Sequence, residues 1–546
     1  MFLPAGRKWA WALIGIFILQ GIFLIRSMSA TADEVPFHVV NGYAYLKTRD
    51  YRMSPANPAL VREWLALPLL ALRPKLDLTK RAWAEADSVP FAYDFMYKDN
   101  RGLAGKILNS ARFMNLLLGA ALGLVIFVWS RRLYGDRGGI LSLAFYAFCP
   151  NFLAHASIAH TDIGVSLFSV LAAFFLWSFL EIDSKNNLFF TALSLALACA
   201  AKYNALIFGP IFLAILWAKR GFRVCLKAAA IFALTGFLVV WASYGFEFKP
   251  LLGGAVPRVE EKLADISGIS RSLFPGNAAA ENVFERAALT VPIPIPTYIL
   301  GVAAIAKAHR LPYRHYAFGE WTTRSRWYFY LISFLMKMTL PFLGLLLLRT
   351  ALFRHAFTSS AGASSAPLLV PVAVFFALTA FDSAQVGLRY LFPVIPLLFV
   401  WIGGLARWAE SSKIRQNVLG VFFALQLATT LPVFPNYLSY FNPIASLFGG
   451  GYRYFRGSDV DWGQGLVGLR NFMDREKIES VTLRYFGPAD PTFYGIRYEP
   501  LTESERFKPQ KKVYAVSLFY LEHAEWSKRL KPTAVVGGSI FVYDLR

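Results

Sequence analysis

The sequence predicts a polytopic α-helical membrane protein that ends in a small α/β unit, and three observations carry that class. Only 16% of the 546 residues are charged, against roughly 25% in soluble domains, while 56% are hydrophobic. Apolar segments long enough to cross a bilayer recur along most of the chain. From about Tyr452 they stop, and runs rich in β-branched and aromatic residues take their place.

The spans are expected at about 9–28, 113–129, 140–158, 163–180, 188–201, 205–217, 228–244, 327–348, 367–381, 391–405 and 418–433, about eleven in all. Arg7-Lys8 precede the first apolar run, and no small-residue cleavage site follows, so it reads as an uncleaved helix. Two long loops interrupt the series, at about 29–108 and 245–326. In the first, residues 59–72 carry apolar side chains at helical spacing, with Arg62, Glu63 and Trp64 near the start, as in a helix lying in the headgroup plane. The second is partly helical and has a proline-rich stretch at Pro292–Pro296. Residues 480–486, 512–518 and 533–543 read as strands, preceded by a helix over 463–476. The expected organisation is a membrane domain over 1–451 and a second domain over 452–546.

The formal net charge is +22, from 56 Lys and Arg against 34 Asp and Glu. Positive residues retained on the cytoplasmic side and anionic lipid headgroups account for it, and no nucleic-acid motif is present. Arg131-Arg132, Arg137, Lys185, Lys219-Arg220, Arg223, Arg349, Arg354, Arg407, Lys413 and Arg415 all fall in alternate short loops. That pattern sets the N-terminus inside and both long loops and the C-terminal tail outside, in what reads as a bacterial inner membrane. Cys149, Cys199 and Cys225 lie in or beside apolar segments, at no spacing that suggests a metal knuckle or a disulfide framework.

Chemistry concentrates at the outer ends of the spans. Asp33-Glu34 follow the first helix directly, where a carboxylate pair must face water, a cation or a partner. Later come Asn57-Pro58-Ala59-Leu60, Ser110-Ala111-Arg112-Phe113, Trp129 to Gly135, Pro150 to His155, then His160-Thr161-Asp162, and Gln385 to Pro393. In this order these segments resemble the C-type glycosyltransferases of the protein-O-mannosyltransferase superfamily. There an Asp-Glu pair opens the first extracytoplasmic loop and a His-Pro-Pro-Leu element follows it. Here Asn57 and Ala59 replace the His and the second Pro of that element, which leaves donor and acceptor recognition open.

The resemblance implies the GT-C fold and transfer of a sugar from a polyprenyl-phosphate carrier to a protein, lipid or glycan acceptor outside the cytoplasm. Asp33 would be the general base in an inverting displacement, with Glu34 orienting it and Asp162 completing the carboxylate set. Arg112, Lys202, Arg389 and Tyr390 are candidates for the donor phosphate, since guanidinium and ammonium groups at helix ends suit an oxyanion. Membrane snorkelling is the ordinary alternative for the three cations. His38, Asn57, Asp459, Asp461 and Trp462 are candidates for the acceptor. For the two tail carboxylates, a turn followed by a helix cap is the plainer account. Asp162 and His160 are candidate ligands for a divalent ion (Mg, Mn or Zn), against a solvated turn with Asp162 as a cap. His309, Tyr313, His315, Tyr316, Glu320 and Trp321 suit either a groove or an interfacial aromatic belt.

Two other classes compete. A flippase or transporter of a lipid-linked substrate needs mid-span ionisable groups and repeated halves, and neither is evident. A non-catalytic anchor for the C-terminal domain leaves Asp33-Glu34, Asp162 and Arg389 without a purpose.

Overall fold

The computed structural model describes residues 5–253, 271, 277–352, 365–447 and 450–546. Arg354 and residues 254–270 and 272–276 of the second long loop lie outside the described residues. The predicted class holds: apolar helices make up the body, and a five-stranded sheet lies near the C-terminus.

Helix α1 (Ala5–Ser27) runs against α4 (Ala104–Ala147). The two approach closely because Gly119 and Gly123 of α4 face Phe17 and Ile14 of α1, as small residues do where apolar helices cross. Two expected spans share the long element α4, which breaks at Gly135 (φ 79°), a left-handed position that a side chain would strain. Between α1 and α4 come α2 (Val40–Thr48) and the expected surface helix, α3 (Ala59–Leu72). The short α5 (Pro150–Ala156) leads to α6 (Asp162–Glu181) and α7 (Lys185–Ala201).

The span count differs from expectation. Among the described residues, five helices are long and apolar enough to cross a bilayer, or six if the bent pair Phe329–Lys337 and Leu340–Ala351 is one span. Other apolar helices are shorter. The apolar helix Ile395–Ala409 is one of these shorter pieces, and its Gly403 lies against Ser130 and Ser142, too close for a side chain.

Near the C-terminus, β1 (Val481–Arg484) pairs in parallel with β2 (Tyr498–Pro500) and β3 (Val513–Ser517). The segment expected as one strand over 533–543 is a hairpin, β4 (Ala534–Val536) and β5 (Ile540–Asp544), turning at Gly537-Gly538, both at positive φ. β5 lies antiparallel to β3. Alternation sorts the sheet's two faces. Val513, Ala515, Ile540 and Val542 join the core of the helical body, whereas Tyr514, Val516, Phe541 and Tyr543 pack a separate cluster with Trp526.

One junction positions the site. Residues 29–32, just before the carboxylate pair, bond to residues 462–464 of the tail: Ser29 N–H donates to Gln464 O (3.1 Å) and Ala32 N–H to Trp462 O (2.8 Å). The chain entering Asp33 is therefore held by the segment that leads into the sheet.

Candidate active site

Asp33 and Glu34 open a π-helical turn, Glu34–Val39, and point into unlike surroundings. Glu34 is fully buried. Its Oε1 accepts from Arg112 Nε (2.8 Å) and Ala159 N (2.7 Å), and its Oε2 from Arg112 Nη2 (2.7 Å) and Thr31 N (2.8 Å). Burial works against its charge, but Arg112 and the two amides outweigh that and hold the carboxyl below its ordinary value.

Arg112, expected at the donor phosphate, instead faces inward. Its remaining donors reach the carbonyls of Ile25 (2.9 Å), Met28 (2.8 Å) and Ser29 (2.7 Å). With both Glu34 bonds added, the guanidinium fork is committed to protein acceptors, and Arg112 does not line the cavity beside Asp33.

Asp33 is partly open, its side chain 27% exposed. Its Oδ2 lies 3.5 Å from Arg389 Nη1 and 3.7 Å from His160 Nε2, too loose for strong bonds. Burial opposes its charge, and His160 and Arg389 outweigh that, so the carboxyl sits below the ordinary carboxylate value. Arg389 follows Gly387, whose φ of 100° and contact with the Asp459 carboxylate leave no room for a side chain. The Arg389 guanidinium lies over the Trp462 ring, 4.5 Å from its centroid.

Asp162 stands behind this pair. It is fully buried, in contact with the Lys202 ammonium, with His160 Nδ1 2.9 Å and Arg389 Nη1 3.9 Å from its Oδ2. His160 Nε2 lies 3.0 Å from Arg389 Nη1, and the Asp162 backbone N–H lies 3.3 Å from His160 Nδ1, so the imidazole bridges Arg389 and the turn that carries Asp162. The expected divalent ion does not fit here. Asp33 and Asp162 already face Lys202 and Arg389, two cations that would repel it. Among the described residues, no group of three or more His, Cys, Asp or Glu could hold a metal.

A cavity of about 630 Å³ opens beside Asp33. Asp33, His38, Asn57, His160, Lys202, Arg389 and Tyr390 line its polar end, and Val302, Ile305, Phe375 and Leu378 its apolar wall. His38 is buried, its ring edge-on to His160 at 4.4 Å, and burial together with nearby cationic groups keeps it neutral. Lys202 Nζ lies 5.2 Å from the Tyr390 ring centroid; burial lowers its pKa against the opposing pull of Asp162. His309 and Asp382 (2.6 Å) also line this cavity.

Of the tail residues expected at the acceptor, Trp462 lines a second cavity that also borders Asp33, whereas Asp459 and Asp461 line neither cavity. Asp459 Oδ1 accepts from Leu388 N (2.9 Å), fixing the turn that carries Arg389, and burial raises its pKa. Asp461 accepts from Gly463 N (3.2 Å) and Phe519 N (3.1 Å), and burial pushes it up to about 7. Trp462 stacks on Arg389 and packs near His160 (5.1 Å between centroids). Sequence reading did not single out Asp382, whose only signal is a charge closing an apolar run, or the backbone amides of Thr31 and Ala159, which leave no signal.

Residues 88–244 match the family model described as dolichyl-phosphate-mannose-protein mannosyltransferase. Over that segment, less than a third of its length, the chain is similar to that family. The matched stretch holds Arg112, His160, Asp162 and Lys202; Asp33, Glu34 and Arg389 lie outside it. No curated protein matches in sequence.

Among solved structures, the chain resembles the Archaeoglobus fulgidus oligosaccharyltransferase in its apo form, at 11% identity and TM-score 0.42, over 78% of this chain and 54% of that one. It thus spans about half the length of that protein. It also resembles ArnT from Cupriavidus metallidurans in the apo state, at 10% identity and TM-score 0.33, over 99% and 98% of the two chains. A third is AglB from A. fulgidus with an inhibitory peptide and a dolichol-phosphate, at 10% identity and TM-score 0.44, over 99% and 75%. Likeness this remote says nothing of mechanism.

Proposed function

We propose that the chain is a membrane glycosyltransferase that moves a sugar from a polyprenyl-phosphate donor to an acceptor hydroxyl, with Asp33 as general base. The observation that carries this reading is the position of Asp33. It is partly open, beside Arg389, in a cavity lined both by polar residues such as Lys202, His160 and Tyr390 and by apolar residues such as Val302, Ile305 and Phe375. A lipid-linked donor has that same division, an apolar tail and a phosphosugar head. The tail runs along Val302, Ile305 and Phe375, and the phosphate meets Lys202, Arg389 and Tyr390.

In the reaction the acceptor oxygen bonds to the anomeric carbon as the bond from that carbon to the phosphate oxygen breaks, with inversion. The polyprenyl phosphate leaves with the electron pair, and its charge is met by Arg389 and Lys202. Asp33 takes the acceptor's proton. Its lowered pKa makes it a weak base, suited to a dissociative transition state in which the proton leaves late. Glu34 and Arg112 act as positioning residues that fix the turn carrying Asp33, and Asp162 holds Lys202 and His160 in place. The Lys and Arg bias of the short loops supports an orientation with this end outside the cytoplasm and residues 452–546 as an extracytoplasmic domain, and we take the membrane to be a bacterial inner membrane.

The experiment is to reconstitute the chain in lipid with a panel of polyprenyl-phosphate sugars and cell-envelope acceptors and to measure free polyprenyl phosphate. Wild type releases it and Asp33→Asn does not; chelator has no effect. Release by neither protein with any donor refutes the transferase reading.

A further inference from the structure

Asp33 and Arg389 border a second cavity, of about 250 Å³, whose lining does not include the apolar residues Val302, Ile305, Phe375 and Leu378 of the first. His315, Tyr316 and Trp321 of the hairpin His315–Ala317 and Glu320–Thr322 line it, together with Phe519, beyond the end of β3. Resting on the transferase reading, we propose that this cavity is the acceptor site and that the acceptor is an anionic saccharide, a glycan bearing phosphate or carboxylate near the hydroxyl that reacts.

Charge is the first argument. The lining holds Arg314, Arg389 and Arg456 against the single carboxylate of Asp33. Arg456 is largely buried, with its Nη1 3.0 Å from Glu522 Oε1 and its Nε without a hydrogen-bond partner. Arg314 is exposed and has no carboxylate partner among the described residues. Forked guanidinium groups with donors to spare suit the paired oxygens of a phosphate or carboxylate.

Shape is the second. Phe486 and Phe519 stack at 4.1 Å and 13°, Trp321 packs edge-on to Phe519 at 5.1 Å, and Tyr316 lies under the Arg456 guanidinium at 3.9 Å. These aromatic surfaces offer broad apolar contact to the C–H face of a sugar ring. The hairpin does not offer the free edge that an extended peptide needs, because Phe318 N–H already donates to Tyr454 O (2.8 Å) and Ala317 bridges Phe455.

A third observation points to hydroxyls. His315 is only 4% exposed, and its Nδ1 lies 3.0 Å from the Tyr313 carbonyl, which puts the proton on that nitrogen. Nε2 is then a buried acceptor, and it has no partner in the protein. Such an atom calls for a donor, and a sugar hydroxyl supplies one.

The test uses the full chain in lipid nanodiscs and calorimetric titration with four probes: methyl glucoside, its 6-phosphate, methyl glucuronoside and an acidic serine-containing peptide. Expected is binding of both anionic glycosides at least about tenfold tighter than the neutral one. Arg314→Gln and Arg456→Gln should each weaken the anionic probes about fivefold or more and leave polyprenyl-phosphate affinity unchanged, since neither residue lines the donor cavity. Arg314 is exposed, so that variant reports binding even if Arg456→Gln lowers the melting temperature. A preference for the phosphate or for the carboxylate identifies the source of the anion. Equal binding of neutral and anionic glycosides, binding of the peptide alone, or binding of none overturns the proposal. Donor consumption separates the two claims. Polyprenyl phosphate released without anionic-glycoside binding refutes the acceptor class alone, and anionic-glycoside binding without donor consumption refutes the transferase reading alone.

Discussion

Asp33 and Glu34 are neighbours in sequence, yet the molecule treats them as opposites. Glu34 lies in a closed region where a guanidinium and two backbone amides occupy both oxygens at 2.7–2.8 Å. Asp33 lies in an open region where it borders two cavities, with Arg389 Nη1 at 3.5 Å and His160 Nε2 at 3.7 Å. A saturated carboxylate holds structure together, whereas an unsaturated one retains lone pairs for a substrate proton. The difference shows how a carboxylate pair can divide positioning from chemistry across a single peptide bond.

The largest effect expected is on turnover. Asp33→Asn removes the base and should lower transfer by about 10²–10⁴-fold with the melting temperature unchanged, measured as polyprenyl phosphate release and thermal unfolding on one preparation. Glu34→Ala should do the reverse. It leaves Arg112 charged and fully buried without its partner, a loss of about 3–5 kcal/mol, read by denaturant or thermal unfolding in lipid. Replacing Glu34 and Arg112 together by apolar residues should cost less than Glu34→Ala alone, and a double-mutant cycle checks that coupling.

Next comes Asp459, which acts on the open region through the turn bearing Arg389. Asp459→Ala should lower kcat about tenfold or more, as expected for losing one hydrogen bond to a charged group of about 1.5–3 kcal/mol. Asp459→Asn, which keeps an acceptor for Leu388 N–H, should restore most of it; a purely bulk-packing role would show no such rescue.

The smallest effect is with pH. Asp33 and Glu34 both have lowered folded-state values, so activity and stability are present above the ordinary carboxylate range and are lost only as pH falls through the lowered values. Turnover at pH 5 should match that at pH 7 within about twofold. An acid limb centred at or above the ordinary Asp value of 3.8 would break the comparison.

Much of this was legible in the sequence, for reasons that also mark the limits. Helical spacing located Ala59–Leu72, and alternation located Val481–Arg484 and Val513–Ser517. The hairpin at Gly537-Gly538 was read as one strand because both its arms are apolar. The resemblance singled out Asp33, His160, Asp162 and Arg389, and an otherwise uncharged loop singled out Lys202; in the structure Asp33, His160, Lys202 and Arg389 line one cavity and Asp162 contacts Lys202. Arg112 could not be sorted from the other cations, because carbonyls and amides decide which way a guanidinium faces, and they carry no residue identity. The expected spans do not map one to one onto long helices, because two of them share the element Ala104–Ala147 and others, such as Ile395–Ala409, are shorter helices.

The most direct test of the division of labour is the parallel measurement of polyprenyl phosphate release and melting temperature for wild type, Asp33→Asn and Glu34→Gln in the same lipid. The account predicts lost release with intact melting for Asp33→Asn, and lowered melting for Glu34→Gln. Full release by Asp33→Asn, or abolished release with unchanged melting for Glu34→Gln, would contradict it.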